Sequence, residues 1–130
     1  MILHHIGIAC EDIDKTCTII NNTIGIKHKG KIVYDKEQEA NLCMILTLHE
    51  DRIELISGSK VKNLVKKQQY LYHTCYLVEN LSKSMEQMTQ NGAIILSSPK
   101  PAILFDNRKV AFLITNLGIV ELLEGDMEND

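Results

Sequence analysis

Four residues that could bind a metal ion recur at matching places in the two halves of the chain. His5 lies near the start of an apolar segment, and His73 lies near the start of a second one, 68 residues later. Each histidine is followed, after 49 and 48 residues, by a glutamate flanked by Ile, Val and Leu: Glu54 and Glu121. Burying a carboxylate among such side chains is costly unless something compensates its charge. The pattern therefore predicts a shared divalent cation.

Two imidazole nitrogens and two carboxylate oxygens leave one or two coordination positions open, which is typical of a catalytic metal. This ligand set suits Ni²⁺, Co²⁺, Mn²⁺, Fe²⁺ or Zn²⁺. Taken singly, a histidine in an apolar strand is more often a hydrogen-bonded core residue, and a glutamate in a terminal strand more often faces solvent. The duplication favours the metal site, because four independent coincidences would otherwise be needed.

The segments that carry these residues repeat in the same order. Helical spacing of apolar residues predicts one helix in each half, the first after acidic capping side chains and the second ending before a glycine. Apolar runs bounded by turn residues predict the strands. A polar, Lys-rich stretch with one short helix joins the halves. The predicted helices are 13–22 and 82–91, and the predicted strands are 2–9, 27–34, 40–48, 52–57, 70–78, 93–96, 110–115 and 119–124. Residues 97–101 are predicted as a loop, because two prolines lie close together there.

Each half thus has the order β-α-β-β-β, which indicates a duplicated unit. We expect one domain over 1–130, with module one at 1–57, a linker at 58–69, module two at 70–125 and a frayed acidic tail at 126–130. Strand alternation predicts that Glu54 faces away from Ile53 and Leu55. It predicts the same for Glu121 relative to its two neighbours.

Composition narrows the function class. The 130 residues are 45% hydrophobic with a net charge of −3, which gives no field that would attract nucleic acid. The sequence shows no membrane span and no signal peptide, and the four cysteines form no C-x-x-C pair, so we expect a cytoplasmic protein with reduced core cysteines. One basic cluster is either a solvated helix face or a patch for an anionic substrate group; it consists of Lys60, Lys62, Lys66 and Lys67.

The sequence resembles the vicinal oxygen chelate superfamily, which includes glyoxalase I and methylmalonyl-CoA epimerase. The resemblance covers nearly the whole chain and is carried by His5-Ile6-Gly7-Ile8-Ala9, by Tyr72 to Val78, and by Asn107 to Leu113 followed by Gly118 to Leu122. It implies an α+β fold in which two paired βαβββ modules form an open, barrel-like mixed sheet around one metal. The implied ligands are His5, Glu54, His73 and Glu121.

The resemblance also implies a metal-dependent isomerase or lyase that removes a proton next to a carbonyl, with the metal stabilising the enolate. Glu121 is expected to move the proton and Glu54 to act from the opposite face. The expected substrate is a small molecule, an acyl-CoA thioester or a hemithioacetal, and the expected assembly is a homodimer. The alternatives are glyoxalase I activity, a non-catalytic binding or resistance protein of the same fold, and an accessory protein of a biosynthetic pathway.

One departure from the resemblance lies on the third strand of the first half. Some epimerases carry an additional acid there, but this strand reads Leu42-Cys43-Met44-Ile45-Leu46 and has no carboxylate. Glu37 and Glu39 precede it and are not a reliable match. The glutathione-contacting residues of glyoxalase I are also not evident in the sequence.

Overall fold

The computed structural model describes residues 1–126, which fall into two compact units. We call residues 5–72 the N-terminal unit. The C-terminal unit comprises Met1–His4 and residues 73–126. Both boundaries fall inside a strand, so each of these two strands is assigned to the unit that holds most of its residues. The tail predicted at 126–130 lies outside the described residues except for Asp126.

The N-terminal unit is a mixed sheet covered by one long helix. Strand β1 pairs in parallel with β5; β4 pairs antiparallel with β5, and both β2 and β3 pair antiparallel with β4. A 3₁₀ turn at Ser59–Val61 leads into the short helix α2. The elements are β1 (Ile2–Ala9), α1 (Ile13–Thr23), β2 (Ile26–Lys29), β3 (Val33–Asp35), β4 (Ala40–Thr47), β5 (Arg52–Gly58) and α2 (Lys62–Lys66).

The C-terminal unit repeats this order. Strand β6 pairs in parallel with β9, β9 pairs antiparallel with β8, and β8 pairs antiparallel with β7. A 3₁₀ turn at Ile103–Phe105 joins β7 to β8. The elements are β6 (Leu71–Val78), α3 (Leu81–Gln90), β7 (Ile94–Ala102), β8 (Arg108–Thr115) and β9 (Gly118–Glu124).

The two long helices begin and end in the same way. The side chain of Asp12 accepts a hydrogen bond from the Lys15 amide at 3.0 Å, and that of Asn80 accepts one from the Lys83 amide at 3.0 Å. These contacts satisfy donors that a helix start leaves unpaired. A glycine with positive φ follows each helix, at 92° in Gly25 and 95° in Gly92, where other residues would be strained.

Each helix covers a small apolar core on one face of its sheet. In the N-terminal unit, α1 packs on β4 and β5; in the C-terminal unit, α3 packs on β8 and β9. The first core contains Cys10, Ile13, Cys17, Ile20, Cys43, Ile45, Ile53 and Leu55. The second contains Val78, Leu81, Met85, Ala111, Leu113, Val120 and Leu122. These cores anchor the strands whose opposite faces carry the candidate ligands.

Two predictions about strands were wrong. The single strand expected at 27–34 is divided into β2 and β3, because four steps from Lys29 to Val33 match three steps from Ile45 to Leu42 on β4. The extra residue is absorbed around Gly30, whose amide donates to the Met44 carbonyl oxygen at 2.9 Å. Since both short strands pair with β4, together they take the place of one strand in the repeated unit.

The loop expected at 97–101 is part of β7. Its register with β8 shifts twice, between Ile95 and Ser97 and again between Ser97 and Lys100, so that extra residues bulge out of the ladder. Within residues 1–126, β7 pairs with β8 alone, so half of its amides need no partner strand. Proline is tolerated in an edge strand with bulges, which explains why the two prolines did not end it.

No helix within residues 1–126 is both long and apolar enough to cross a membrane.

Candidate functional site

The first candidate pair joins two neighbouring parallel strands of the N-terminal unit. His5 lies on β1 and Glu54 on β5, and the backbone of Glu54 is level with Gly7. Both side chains are buried, with His5 2% and Glu54 3% exposed. The Nε2 atom of His5 and the Oε1 atom of Glu54 are 3.7 Å apart.

The second candidate pair is built in the same way in the C-terminal unit. His73 lies on β6 and Glu121 on β9, and the backbone of Glu121 is level with Cys75. Each residue is 2% exposed. The Nε2 atom of His73 and the Oε1 atom of Glu121 are 3.2 Å apart.

The two units therefore also share the register of the parallel strands that carry the histidine and the glutamate. In both units, the glutamate is level with the residue two positions after the histidine on the parallel neighbour: Gly7 in one case and Cys75 in the other. Side chains two residues apart lie on one face of a strand, so this offset places each imidazole beside its carboxylate. The structure thus brings His5 to Glu54 and His73 to Glu121.

The predicted orientation of both glutamates is confirmed. Ile53 and Leu55 pack in the core under α1, and Val120 and Leu122 pack in the core under α3. Glu54 and Glu121 lie between these residues and belong to neither core. Since neighbouring side chains alternate, both carboxylates lie on the sheet face that the helix does not cover.

The chemistry of each pair fits half of a metal site. Ligand atoms that bind one ion at about 2.1 Å lie about 3.0 to 3.6 Å apart for angles between 90° and 120°. The two nitrogen–oxygen distances, 3.7 and 3.2 Å, lie close to that range. A buried imidazolium–carboxylate pair would fit the distances as well, but desolvating two charges is costly. A neutral imidazole and a carboxylate facing one cation avoid the second buried organic charge.

Two residues beside the pairs were missed by sequence reasoning. Met44 on β4 is directly opposite Glu54, and Phe112 on β8 is directly opposite Glu121. The ring of Phe112 meets the ring of His73 edge to face, with centroids 5.4 Å apart. Directly opposed residues of antiparallel strands share a face, so the hairpin registers were the only signal that could have identified them.

The four cysteines are buried and form no disulfide. Burial raises the pKa of the Cys43 thiol to about 11, and it also raises the pKa values of Cys10 and Cys17. These three thiols are therefore protonated near neutral pH, where only a thiolate would be a nucleophile. The assignment of these three cysteines to the core is confirmed.

The basic cluster predicted in the linker is exposed. Lys60 donates to the carbonyl oxygen of Glu37 at 3.3 Å. Lys62 and Lys66 border a cavity of about 410 Å³ that is also lined by Glu11. Positive and negative side chains both line this cavity, so its geometry favours neither a solvated helix face nor a patch for an anionic substrate group.

The family model of the Glyoxalase/Bleomycin resistance protein/Dioxygenase superfamily matches residues 4–112. An ethylmalonyl-CoA/methylmalonyl-CoA epimerase of Cereibacter sphaeroides is 26% identical over 117 residues, which cover 85% of this chain and 86% of that protein.

Two solved structures have the same fold. The crystal structure of a methylmalonyl-CoA epimerase superposes with a TM-score of 0.75 at 18% identity, covering 97% of this chain and 96% of that one. The enzyme of that name from Mycobacterium tuberculosis gives a TM-score of 0.75 at 16% identity, with coverages of 97% and 89%. The α+β fold of paired βαβββ modules is thereby confirmed.

Proposed function

The chain belongs to the glyoxalase, or vicinal oxygen chelate, superfamily, and on that premise we propose that it is a metal-dependent epimerase acting next to a carbonyl group. The observation that carries the proposal is the duplicated His–Glu pair, buried in each unit with the same strand register. Buried carboxylates that are preserved in both copies of a repeat require a common function, because each is costly to bury alone.

We propose that the two pairs hold one divalent ion, drawn from Ni²⁺, Co²⁺, Mn²⁺, Fe²⁺ and Zn²⁺. His5 and His73 would supply imidazole nitrogens, and Glu54 and Glu121 would supply carboxylate oxygens. When bound, such an ion supplies Lewis-acid stabilisation of the oxyanion that develops on the substrate carbonyl.

The chain's own carboxylates then move the proton. Glu121 takes the proton from the carbon next to the carbonyl, the C–H bond breaks, and its electron pair passes into the carbonyl group to give the enolate. Glu54 starts protonated and returns a proton to the opposite face of the carbon. The carbon is inverted, one proton has been lost and one gained, and exchange with solvent restores the starting protonation of the pair.

The proposed substrate is an acyl-CoA thioester. This follows the names of the relatives, an ethylmalonyl-CoA/methylmalonyl-CoA epimerase and two methylmalonyl-CoA epimerases. The epimerase resemblance also favours a homodimer, which light scattering of the purified protein tests. A cytoplasmic location is proposed separately, in keeping with four cysteines that form no disulfide.

Proton exchange tests the proposed function. The metal-loaded protein is mixed with methylmalonyl-CoA in deuterated water, and deuterium at the α-carbon is measured by mass spectrometry. We expect incorporation that depends on the metal and that falls about 10²- to 10⁴-fold in Glu121→Gln for the enantiomer whose proton Glu121 removes. The exposed Glu79, replaced by Gln, is the control and should exchange like the wild type. If the metal-loaded wild type exchanges no proton, the epimerase proposal is wrong, and metal-dependent turnover of methylglyoxal with glutathione would instead support glyoxalase I activity.

A further inference from the structure

One cation breaks the duplication around the candidate ligands. Arg52 precedes Glu54 by two residues, and the residue at the same place before Glu121 is Ile119. The residues between and after them correspond closely: Ile53 to Val120 and Leu55 to Leu122. The two terminal strands thus share their apolar face and their glutamate, but only one of them carries a positive charge.

The register places Arg52 close to the N-terminal pair. Ile6 is level with Ile53, so one step back along both parallel strands brings Arg52 level with His5. Neighbouring parallel strands are about 4.8 Å apart. In the C-terminal unit, Thr74 is level with Val120, so the same step brings Ile119 level with His73. The two positions are therefore structural equivalents.

Arg52 also shares the face of Glu54. Ile53 packs in the core under α1, and alternation places Arg52 on the opposite side with the glutamate. The two side chains begin about 7 Å apart along the strand. Arg52 and Ile119 are both half-buried. At these equivalent positions the N-terminal unit therefore carries a guanidinium and the C-terminal unit an aliphatic side chain.

The positive charge of Arg52 bears on which substrates the site can bind. An acidic substrate brings a further negative charge close to the side chains of Glu54 and Glu121, and a cation on the same face would offset that repulsion. A guanidinium presents a planar fork of donors that matches a carboxylate in a bidentate contact. An anionic group would therefore be held on the side of His5 and Glu54, where Arg52 lies.

We propose that Arg52 is the specificity-determining residue of the site and binds a carboxylate borne by the substrate close to its reacting carbon. This inference rests on the proposed function and deepens it. It assigns to the site an acidic, malonyl-type thioester and disfavours a substrate that is neutral near the reacting carbon, such as a hemithioacetal.

Two ligands of similar shape, one anionic and one neutral, test the proposal without turnover. The protein is loaded with Co²⁺, and the dissociation constants of malonate and of the neutral malonamide are measured by calorimetry for the wild type, Arg52→Gln, Arg52→Lys and Ile119→Gln. Loss of a charge-assisted hydrogen bond corresponds to about a 10- to 100-fold change. We expect that weakening for malonate in Arg52→Gln, a smaller one in Arg52→Lys, and less than about a twofold change for malonamide. Ile119→Gln, the matched control, should bind both ligands like the wild type.

Three outcomes would overturn the role of Arg52. These are equal weakening of malonate and malonamide in Arg52→Gln, equal behaviour of Arg52→Gln and Ile119→Gln, and a wild type that does not prefer malonate. Circular dichroism identifies a variant that fails to fold, in which case Arg52→Lys decides, since it keeps the charge and loses the fork. Absence of proton exchange in the wild type would refute the proposed function, whereas exchange with an unchanged KM in Arg52→Gln would refute only the present inference.

Discussion

The N-terminal and C-terminal units carry the same His–Glu pair in different surroundings. Both pairs are buried and share one strand register, but the residue opposite the glutamate is Met44 in one unit and Phe112 in the other. The nitrogen–oxygen distance is 3.7 Å in the first pair and 3.2 Å in the second. The His–Glu pair is thus the same in both units, while its neighbours differ.

The divergence extends to the cores behind the strands. The N-terminal core has three thiols at positions where the C-terminal core has aliphatic or thioether side chains, in the pairs Cys10 and Val78, Cys17 and Met85, Cys43 and Ala111. Both cores keep buried side chains at these positions, so the two units differ in the chemistry and size of these side chains but not in the order of their strands. The two units thus agree in the His–Glu pair that we propose as metal ligands and differ in the side chains around it.

The largest expected effect is loss of the metal when either histidine is removed. In His5→Ala and in His73→Ala, we expect bound metal to fall from about one ion per chain to near zero, because the three remaining ligands bind the ion more weakly than the full set. Elemental analysis after reloading measures the stoichiometry. His49→Ala, in an exposed turn, is the control. Full retention of metal in one of the two variants would show that the pairs do not share an ion.

The next effect separates the two carboxylates. An amide oxygen can still bind a metal but cannot accept a proton, so Glu54→Gln and Glu121→Gln should keep part of their metal and lose epimerisation about 10²-fold or more. If the two residues act on opposite faces, Glu121→Gln should retain exchange of one substrate enantiomer and Glu54→Gln that of the other. Mass spectrometry of each enantiomer in deuterated water measures this. Loss of exchange for the same enantiomer in both variants would contradict the two-base scheme.

A smaller effect concerns the residues opposite the glutamates. The edge-to-face contact of Phe112 restrains the ring of His73 at 5.4 Å. Residues that orient metal ligands typically change metal affinity about 10- to 100-fold when they are removed. We expect Phe112→Ala to weaken metal binding by about that factor, Phe112→Tyr to restore it, and Met44→Ala to have less effect, as measured by competition with a chelating dye. A larger loss of metal affinity in Met44→Ala than in Phe112→Ala would contradict the proposal that Phe112 orients a metal ligand.

The sequence could predict the features that repeat and could not predict those that depend on pairing. His5, His73 and both glutamates were found because their spacing recurs, and their faces follow from alternation alone. A bulge opposite β4 divides β2 from β3 around Gly30. Bulges opposite β8 let β7 continue through Pro99 and Pro101. These bulges cannot be predicted without knowing which strands pair. The proximity of Phe112 to His73 likewise requires the register of β8 with β9, which no local pattern contains.

The smallest effect is a pH dependence confined to the thiol-containing core. Cys43 ionises at about pH 11 in the folded protein, compared with 9.0 for an unperturbed thiol, because its burial disfavours the thiolate. Above pH 9 the unfolded chain therefore releases a proton that the folded chain retains, so the stability contributed by this shift is full below pH 9 and is lost as the pH rises to about 11. Cys43→Ala introduces the side chain of the equivalent Ala111 and removes this contribution. We expect the free energy of unfolding, measured in urea between pH 8 and 10.5, to fall less steeply in the variant, and parallel curves would show that Cys43 does not ionise differently in the two states.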